Sequence, residues 1–306
     1  MSNVVIGNDR NSRSERARLS LDGLSIGDGF GECFFTDPRI VRRRIEARDA
    51  PPGPWRYTDD TAMAISLVRC LHRHGAIDQD DLAELFADEY RRDKHRGYGG
   101  GAHDILRAIG NGVGWKEAAR CAFNGQGSMG NGGAMRVGPL GAWFADDYEA
   151  AAREARASAE VTHAHDEGKA GAMAVAVAAA WAARADEKAD GRELIETALQ
   201  FTPEGPTRTG LESALEMPFD CPPLQAAFAL GNGSRVIAQD TVPFALWCAA
   251  RHVRDYAEAL WAAVGVGGDI DTNCAIIGGI VSLSAGRESI PAEWVVARER
   301  LPNVME

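Results

Sequence analysis

The run from Ala170 to Ala183, alanine throughout except for Gly171, Met173, Val175, Val177 and Trp181, constrains the fold more than any other stretch. Alanine is the strongest helix former. A helix covered in methyl groups gains stability only by lying backbone-close to its neighbours. The run therefore predicts a helix over 166–185 at the centre of a bundle. It is bounded by Lys169 and Arg184 and is too short and too weakly hydrophobic to span a bilayer. Apolar spacing predicts further helices over 13–27 (Ala17, Leu19, Leu21, Leu24, Ile26), 60–74 (Met63, Leu67, Cys70, Leu71), 79–92, 242–263 and 272–285. Residues 34–57, ending Pro51-Pro52-Gly53-Pro54, read as a loop, and 200–223, with five prolines, as an irregular connection. No clean alternating run of β-branched residues occurs, so the class is all-α. No linker interrupts the middle, so residues 1–306 are expected to form one domain.

The formal charge is −11, from 33 basic and 44 acidic residues. Such a surface repels nucleic acid and anionic membrane. The patch Arg39, Arg42, Arg43, Arg44 and Arg48 is diluted by Glu46 and Asp49 and reads as a solvated segment. Six cysteines without a CxxC pair fit reduced, buried thiols. Arg10, Arg13, Arg16 and Arg18 are not followed by an apolar core, so no signal peptide is expected and a cytoplasmic protein is. The tryptophans Trp55, Trp115, Trp143, Trp247 and Trp261 are expected in the core.

Two segments carry paired carboxylates directly before a helix: Thr58-Asp59-Asp60-Thr61 and Gly268-Asp269-Ile270-Asp271-Thr272. Taken alone, the first reads as an N-cap. A cap needs one short polar residue, however, and adjacent carboxylates repel unless a cation lies between them. Two such clusters in one chain shift the balance towards a metal site. Hard oxygen ligands without cysteine or histidine among them suit Mg²⁺ or Mn²⁺ and not zinc. Three small-residue stretches complete the pattern. Gly97-Tyr98-Gly99-Gly100-Gly101 and the stretch Gly127 to Arg136 offer exposed amides to phosphates, and Thr162-His163-Ala164-His165 stands before the alanine-rich helix. Gly27-Asp28-Gly29-Phe30-Gly31 is not a dinucleotide loop, because no strand precedes it.

In order, these segments resemble the ADP-ribosylglycohydrolase family. The matching stretches are GDGFGE at 27–32, YTDDTAMA at 57–64, GYGGG at 97–101, GNGGAMRVGPLG at 130–141, TH at 162–163 and GGDIDTNCAIIGGIVSLSAG at 267–286. The resemblance implies a compact orthogonal bundle of helices with a two-metal cleft that hydrolyses the glycosidic bond between ADP-ribose and a modified acceptor. It assigns two Mg²⁺ or Mn²⁺ ions to Thr58, Asp59, Asp60, Asp269, Asp271 and Thr272, with Asp271 bridging. It assigns the substrate to Gly99, Gly100, Ser128, Met129, Gly130, Asn131 and His163, and general-base duty to Asp59 or Asp269. The implied partners are an ADP-ribosylated protein or small molecule and the product ADP-ribose, with no membrane and with nucleic acid only as a modified substrate. One position departs from the pattern. The family carries a glutamate seven residues after the aspartate of the early GD motif, and here that position is Phe35, with Glu32 standing earlier. Either Glu32 takes over that catalytic position through a loop shift, or the acceptor side is handled differently. Three rival functions follow: an ADP-ribose reader without turnover, a metal-dependent hydrolase of another bond such as a phosphodiester or that of a free nucleotide sugar, and a structural descendant.

Overall fold

The computed structural model describes residues 2–304. Its helices are α1 (Ser2–Glu32), α2 (Pro38–Ala47), α3 (Asp59–His74), α4 (Gln79–Arg92), α5 (Gly100–Gly110), α6 (Trp115–Gly125), α7 (Gly138–Trp143), α8 (Tyr148–Glu160), α9 (Asp166–Ala182), α10 (Gly191–Phe201), α11 (Pro206–Glu216), α12 (Pro223–Leu230), α13 (Ala238–Arg251), α14 (Tyr256–Val264), α15 (Ile270–Ala285) and α16 (Ala292–Ala297). Among the described residues there is no strand, only two isolated β-bridges. None of these helices is long and apolar enough to cross a membrane.

The alanine-rich run is α9, and it lies at the centre as expected, packed by α7, α8, α10, α13 and α15. A Cβ on Gly141 of α7 would stand 2.0 Å from the Ala176 carbonyl oxygen, so these two backbones touch.

The most intimate pairing is α1 with α15. Gly23, Gly27 and Gly31 recur every four residues and so share one face of α1. A Cβ at Gly27 would lie 2.1 Å from the Cys274 carbonyl oxygen, and one at Gly31 would lie 2.7 Å from the Asp271 Cα. The glycines of GDGFGE thus serve helix–helix contact, and α1 runs through them to Glu32 instead of ending near residue 27. That contact brings Asp28 beside the start of α15.

Three expected segments differ. The 34–57 loop contains α2, because Asp37 accepts from the Arg39 amide and Pro38 supplies a preset first turn. The 200–223 connection contains α11, whose Pro206 opens the helix where its missing N–H is harmless. The 242–263 helix is two, α13 and α14, with Asp255 capping the second through the Glu258 amide. Of the five tryptophans, Trp55, Trp143, Trp247 and Trp261 are buried. Trp115 is only partly covered and donates its Nε1–H to Asp80, 2.7 Å away, so it is not a core residue.

Candidate active site

The two acidic segments expected before helices open α3 and α15, and the fold brings them together on either side of Asp28. One carboxylate oxygen each from Asp28, Asp60 and Asp271 lie within 4.8 Å of one another. Asp59 and Asp269 stand outside this innermost group.

The start of α3 is capped from thirty residues away. Thr58 occupies the N-cap position, but its own side chain caps nothing. Instead the Asp28 carboxylate accepts from the Thr58 amide (2.9 and 3.0 Å) and the Thr61 amide (3.1 Å), and both threonine hydroxyls reach it. Asp28 is fully buried, and these donors use both of its oxygens. The carboxylates of Asp59 and Asp60 are thereby released from capping duty. Thr58 Oγ1 also lies 2.9 Å from Asp60 Oδ2. Asp60 Oδ1 and Asp271 Oδ1 are buried with no hydrogen-bond partner.

The start of α15 is held by backbone. The Asp269 amide donates to the Asn232 carbonyl (3.1 Å), and the Asn273 side-chain amide donates to the same oxygen (2.8 Å). Gly268 has φ +80, and a Cβ there would sit 2.1 Å from that oxygen, so only glycine fits. The Asn131 side-chain amide donates to Asp269 Oδ2 (2.6 Å) and to Thr241 Oγ1 (3.0 Å). Asn131, assigned to substrate by the resemblance, is therefore also tied to a carboxylate of the centre. Thr272 is buried in the first turn of α15.

Burial with mutual repulsion sets the electrostatics. Burial raises the Asp28 carboxyl to about 6, against the lowering hydrogen bonds of Thr61 and Thr58. Burial, then Asp28, raise Asp59 to about 8. Asp60 is pushed well above the carboxylate range by burial and then by Asp271, Asp28, Asp59 and Asp269. Asp271 is pushed likewise by burial, Asp269 and Asp28. Arg136 attracts Asp59, but with less effect than burial, Asp28 or Asp269, so the crowded carboxylates are short of positive counter-charge. The orphaned oxygens of Asp60 and Asp271 in a site of oxygen donors alone fit a hard divalent cation. Because the Asp28 oxygens already accept from amides and hydroxyls, Asp28 organises this site, and Asp60 and Asp271 have the free lone pairs.

Around the centre, Arg96 lies 3.9 Å over the Tyr57 ring, donates to the Tyr57 carbonyl (2.9 Å) and pairs with Glu299 (2.7 Å). This staple holds Gly97, whose φ is +88, against Thr58 and Asp59. Gly99 and Gly100 face open space at the start of α5, which has no side-chain cap, so its first amides are free to approach a ligand. Ser128 Oγ accepts from the Gly130 amide (3.1 Å), and the Met129 carbonyl accepts from Ala238 (3.0 Å). His163 is buried beneath this loop. Cβ atoms at Gly130 or Gly132 would each stand 3.3 Å from its Nε2. Burial and then Arg136 hold the imidazole neutral, its pKa lowered to about 3.

Glu32 ends α1 one turn beyond Asp28, on the same side of the helix, and is exposed. Partial burial raises its carboxyl against the attraction of Arg56. Phe35 is 54% exposed in the turn that follows. A separate cavity of about 450 Å³ behind Gly97, lined by Tyr90, Lys94, His95, Tyr98, His103 and Arg107, holds none of the carboxylates.

Sequence reasoning left Asp28, Thr61, Asn232 and Arg136 without roles. Asp28 had a usable signal, since glycines at 23, 27 and 31 mark a close helix contact in which a carboxylate is out of place. Asn232 had less: a glycine-flanked asparagine whose partner lies in another element.

The model of the ADP-ribosylglycohydrolase family matches residues 9–306. ADP-ribosylhydrolase ARH3 of Homo sapiens is 29% identical over 319 residues, covering 91% of this chain and 88% of its own. ADP-ribosylhydrolase ARH3 of Bos taurus is 30% identical over 321 residues, covering 91% and 87%. A solved ADP-ribosylglycohydrolase-related protein complex superposes with a TM-score of 0.69 at 26% identity, covering 94% of each chain.

Proposed function

The chain belongs to the ADP-ribosylglycohydrolase family, and we propose from that premise how its acidic centre hydrolyses the glycosidic bond between ADP-ribose and a modified acceptor. The carrying observation is the pair of buried, unpartnered oxygens on Asp60 and Asp271 amid further carboxylates. Two divalent cations, Mg²⁺ or Mn²⁺, would be held by Thr58, Asp59, Asp60, Asp269, Asp271 and Thr272. Such ions supply Lewis-acid polarisation and lower the pKa of a bound water.

The chain's own residues do the rest. Gly99, Gly100, Ser128, Met129, Gly130 and Asn131 hold the diphosphate and riboses, and His163 meets the distal ribose. Asp59 or Asp269 takes the proton from water. Glycoside cleavage passes through an oxocarbenium-like state, and the surrounding negative charge stabilises that developing cation. Asp28 keeps the start of α3 in place. Glu32 borders the acceptor side, with Phe35 at the position where the family resemblance implies a glutamate. The substrate is an ADP-ribosylated protein or small molecule, through an N- or O-glycosidic bond, with nucleic acid only as a modified substrate. The family match across 9–306 supports one domain, and six free cysteines support a reducing, cytoplasmic setting, although only four are buried, with Cys33 partly covered and Cys121 exposed against expectation.

The test is release of ADP-ribose from arginine-, serine- and base-linked substrates with Mg²⁺, with Mn²⁺ and with chelator. Metal-dependent release from one linkage is expected and names the acceptor. Folded protein that binds ADP-ribose but cleaves none of the three would overturn the proposed hydrolysis of these linkages.

A further inference from the structure

Arg136 is completely buried and, among the described residues, makes no ion pair; Asp59 is the carboxylate whose charge reaches it. Its guanidinium lies 4.4 Å over the Phe86 ring and donates through Nη2 to the Ser158 carbonyl (2.8 Å) and to Thr162 Oγ1 (3.0 Å). A guanidinium can only donate. Thr162 Oγ1 therefore accepts from Arg136, and its single proton is free for another partner. Among the described residues its one acceptor is His163 Nδ1, 2.8 Å away; were the hydroxyl to accept from Nδ1–H with its second lone pair, its own proton would be left buried and unpaired. An Nδ1 that accepts leaves the ring proton on Nε2. Nε2 faces Gly130 and Gly132, where the absence of Cβ atoms leaves room above the 128–132 loop. The backbone that carries the ring is fixed by its amide, which donates to the Ala159 carbonyl (2.7 Å) at the end of α8.

We propose that Arg136 and Thr162 are positioning residues that lock His163 in the Nε2–H tautomer. The imidazole then serves as a permanent neutral donor to a phosphate or ribose oxygen seated over residues 128–132. The first half stands on the hydrogen-bond chain alone. The second rests on the proposed ADP-ribose cleft. Burial beside Arg136 keeps the ring uncharged across the working pH range, so the donor does not switch. A donor that must deliver one hydrogen bond to a neutral hydroxyl or a phosphate oxygen gains from being fixed in advance.

The experiment is ¹⁵N imidazole NMR on histidine-labelled full-length protein, with His163→Ala to assign the signal among the seven histidines. The expected wild-type pattern is a single Nε2–H tautomer that does not titrate between about pH 5 and 8, the range in which an ordinary histidine does. Thr162→Val should give mixed tautomers and weaken ADP-ribose binding ~10-fold, the scale of one hydrogen bond. It should raise KM more than it lowers kcat, and Thr162→Ser should restore both. An Nδ1–H signal in the wild type, or an unchanged tautomer in a folded Thr162→Val, overturns the lock. An intact lock with His163→Ala binding ADP-ribose at full strength overturns the donor role and the placement of ADP-ribose over this loop, leaving the tautomer assignment standing.

Discussion

The starts of α3 and α15 solve the same problem in opposite ways. Each presents two carboxylates in its first turn or just before it, and neither helix is capped by its own side chain. At α3 the cap is a third carboxylate, Asp28, delivered by α1 and saturated with four donors from Thr58 and Thr61. At α15 the holder is neutral: the Asn232 carbonyl, two positive-φ glycines and the Asn131 amide. Capping with Asp28 adds negative charge where charge already accumulates. Clamping with backbone adds none. The α3 side should therefore depend strongly on pH and on a bound cation, and the α15 side on backbone shape.

The largest expected effect falls where the two sides share a support. Gly27→Val places side-chain atoms inside the Cys274 carbonyl, since even a Cβ would lie 2.1 Å from it. No far end of a flexible chain is there to move aside. A loss above ~4 kcal/mol is expected, because overpacking meets backbone on both helices. Circular dichroism of the purified variant should show a chain that no longer melts cooperatively. A folded, active Gly27→Val would mean that the two helix starts do not share this support.

Next come variants that separate the sides. Asp28→Ala strips the Thr58 and Thr61 amides of a buried acceptor, at roughly 1–3 kcal/mol. It also relieves repulsion, so the net loss should sit near the low end of that range in metal-free protein. Asp28→Asn keeps an acceptor and removes the charge. Its NH₂ group, however, must face threonine amides that can only donate, so the metal-free protein should lose roughly 1–3 kcal/mol and bind Mg²⁺ more weakly. Gly233→Ala is the counterpart at α15, where φ is +85 and a Cβ would lie 2.6 Å from the Asp269 Cβ. Its cost should be about 1–2 kcal/mol whether or not metal is present, as for strain at a special backbone position. Denaturant melts with and without Mg²⁺ separate the two. If Gly233→Ala proves the more sensitive to metal, the contrast is the wrong way round.

The all-helical class was legible in the sequence, because the period of α3, α4 and α15 is set by their own apolar residues and α9 is marked by its run of alanines. Both acidic pairs were legible too, since a surplus carboxylate at a helix start is a local anomaly. What could not be read was the capping by Asp28 and the clamp by Asn232. Those bonds join residues 30 and 37 positions apart, and nothing near either residue announces its partner. The break between α13 and α14 was missed for a similar reason. Apolar spacing continues across it, and only the Asp255 cap marks the second start.

A smaller effect follows from pH. A carboxyl whose pKa rises on folding holds its proton more tightly in the folded chain. That contribution to stability is complete below the unfolded value of 3.8 and is lost as pH climbs through the folded value, about 6 for Asp28 and about 8 for Asp59. Metal-free protein should therefore melt at a higher temperature at pH 5 than at pH 8, and saturating Mg²⁺ should remove most of the difference. Asp59→Asn should flatten the metal-free slope at its upper end, whereas Gly233→Ala should leave the slope intact. A metal-free melting temperature that rises from pH 5 to pH 8 would show that the cluster is not short of positive charge.

The smallest effect is expected at the acceptor side, and it tests whether that rim belongs with α3 or stands apart. Glu32 lies one turn beyond Asp28, with Arg56 pulling on its carboxyl, and it is exposed enough that Glu32→Gln should leave the melting temperature unchanged. If Glu32 contributes at the mouth of the site, that substitution lowers kcat/KM ~10-fold, the worth of a single charge-assisted hydrogen bond. Phe35→Glu should change stability by less than ~0.5 kcal/mol, as at other surface positions. It should also fail to rescue Glu32→Gln, because residue 35 lies beyond the end of α1 and Phe34 beside it is anchored among Phe30 and Trp261. Rescue in the double variant would instead mean that the turn at 33–36 can bring position 35 to the site, and that Glu32 is not its replacement.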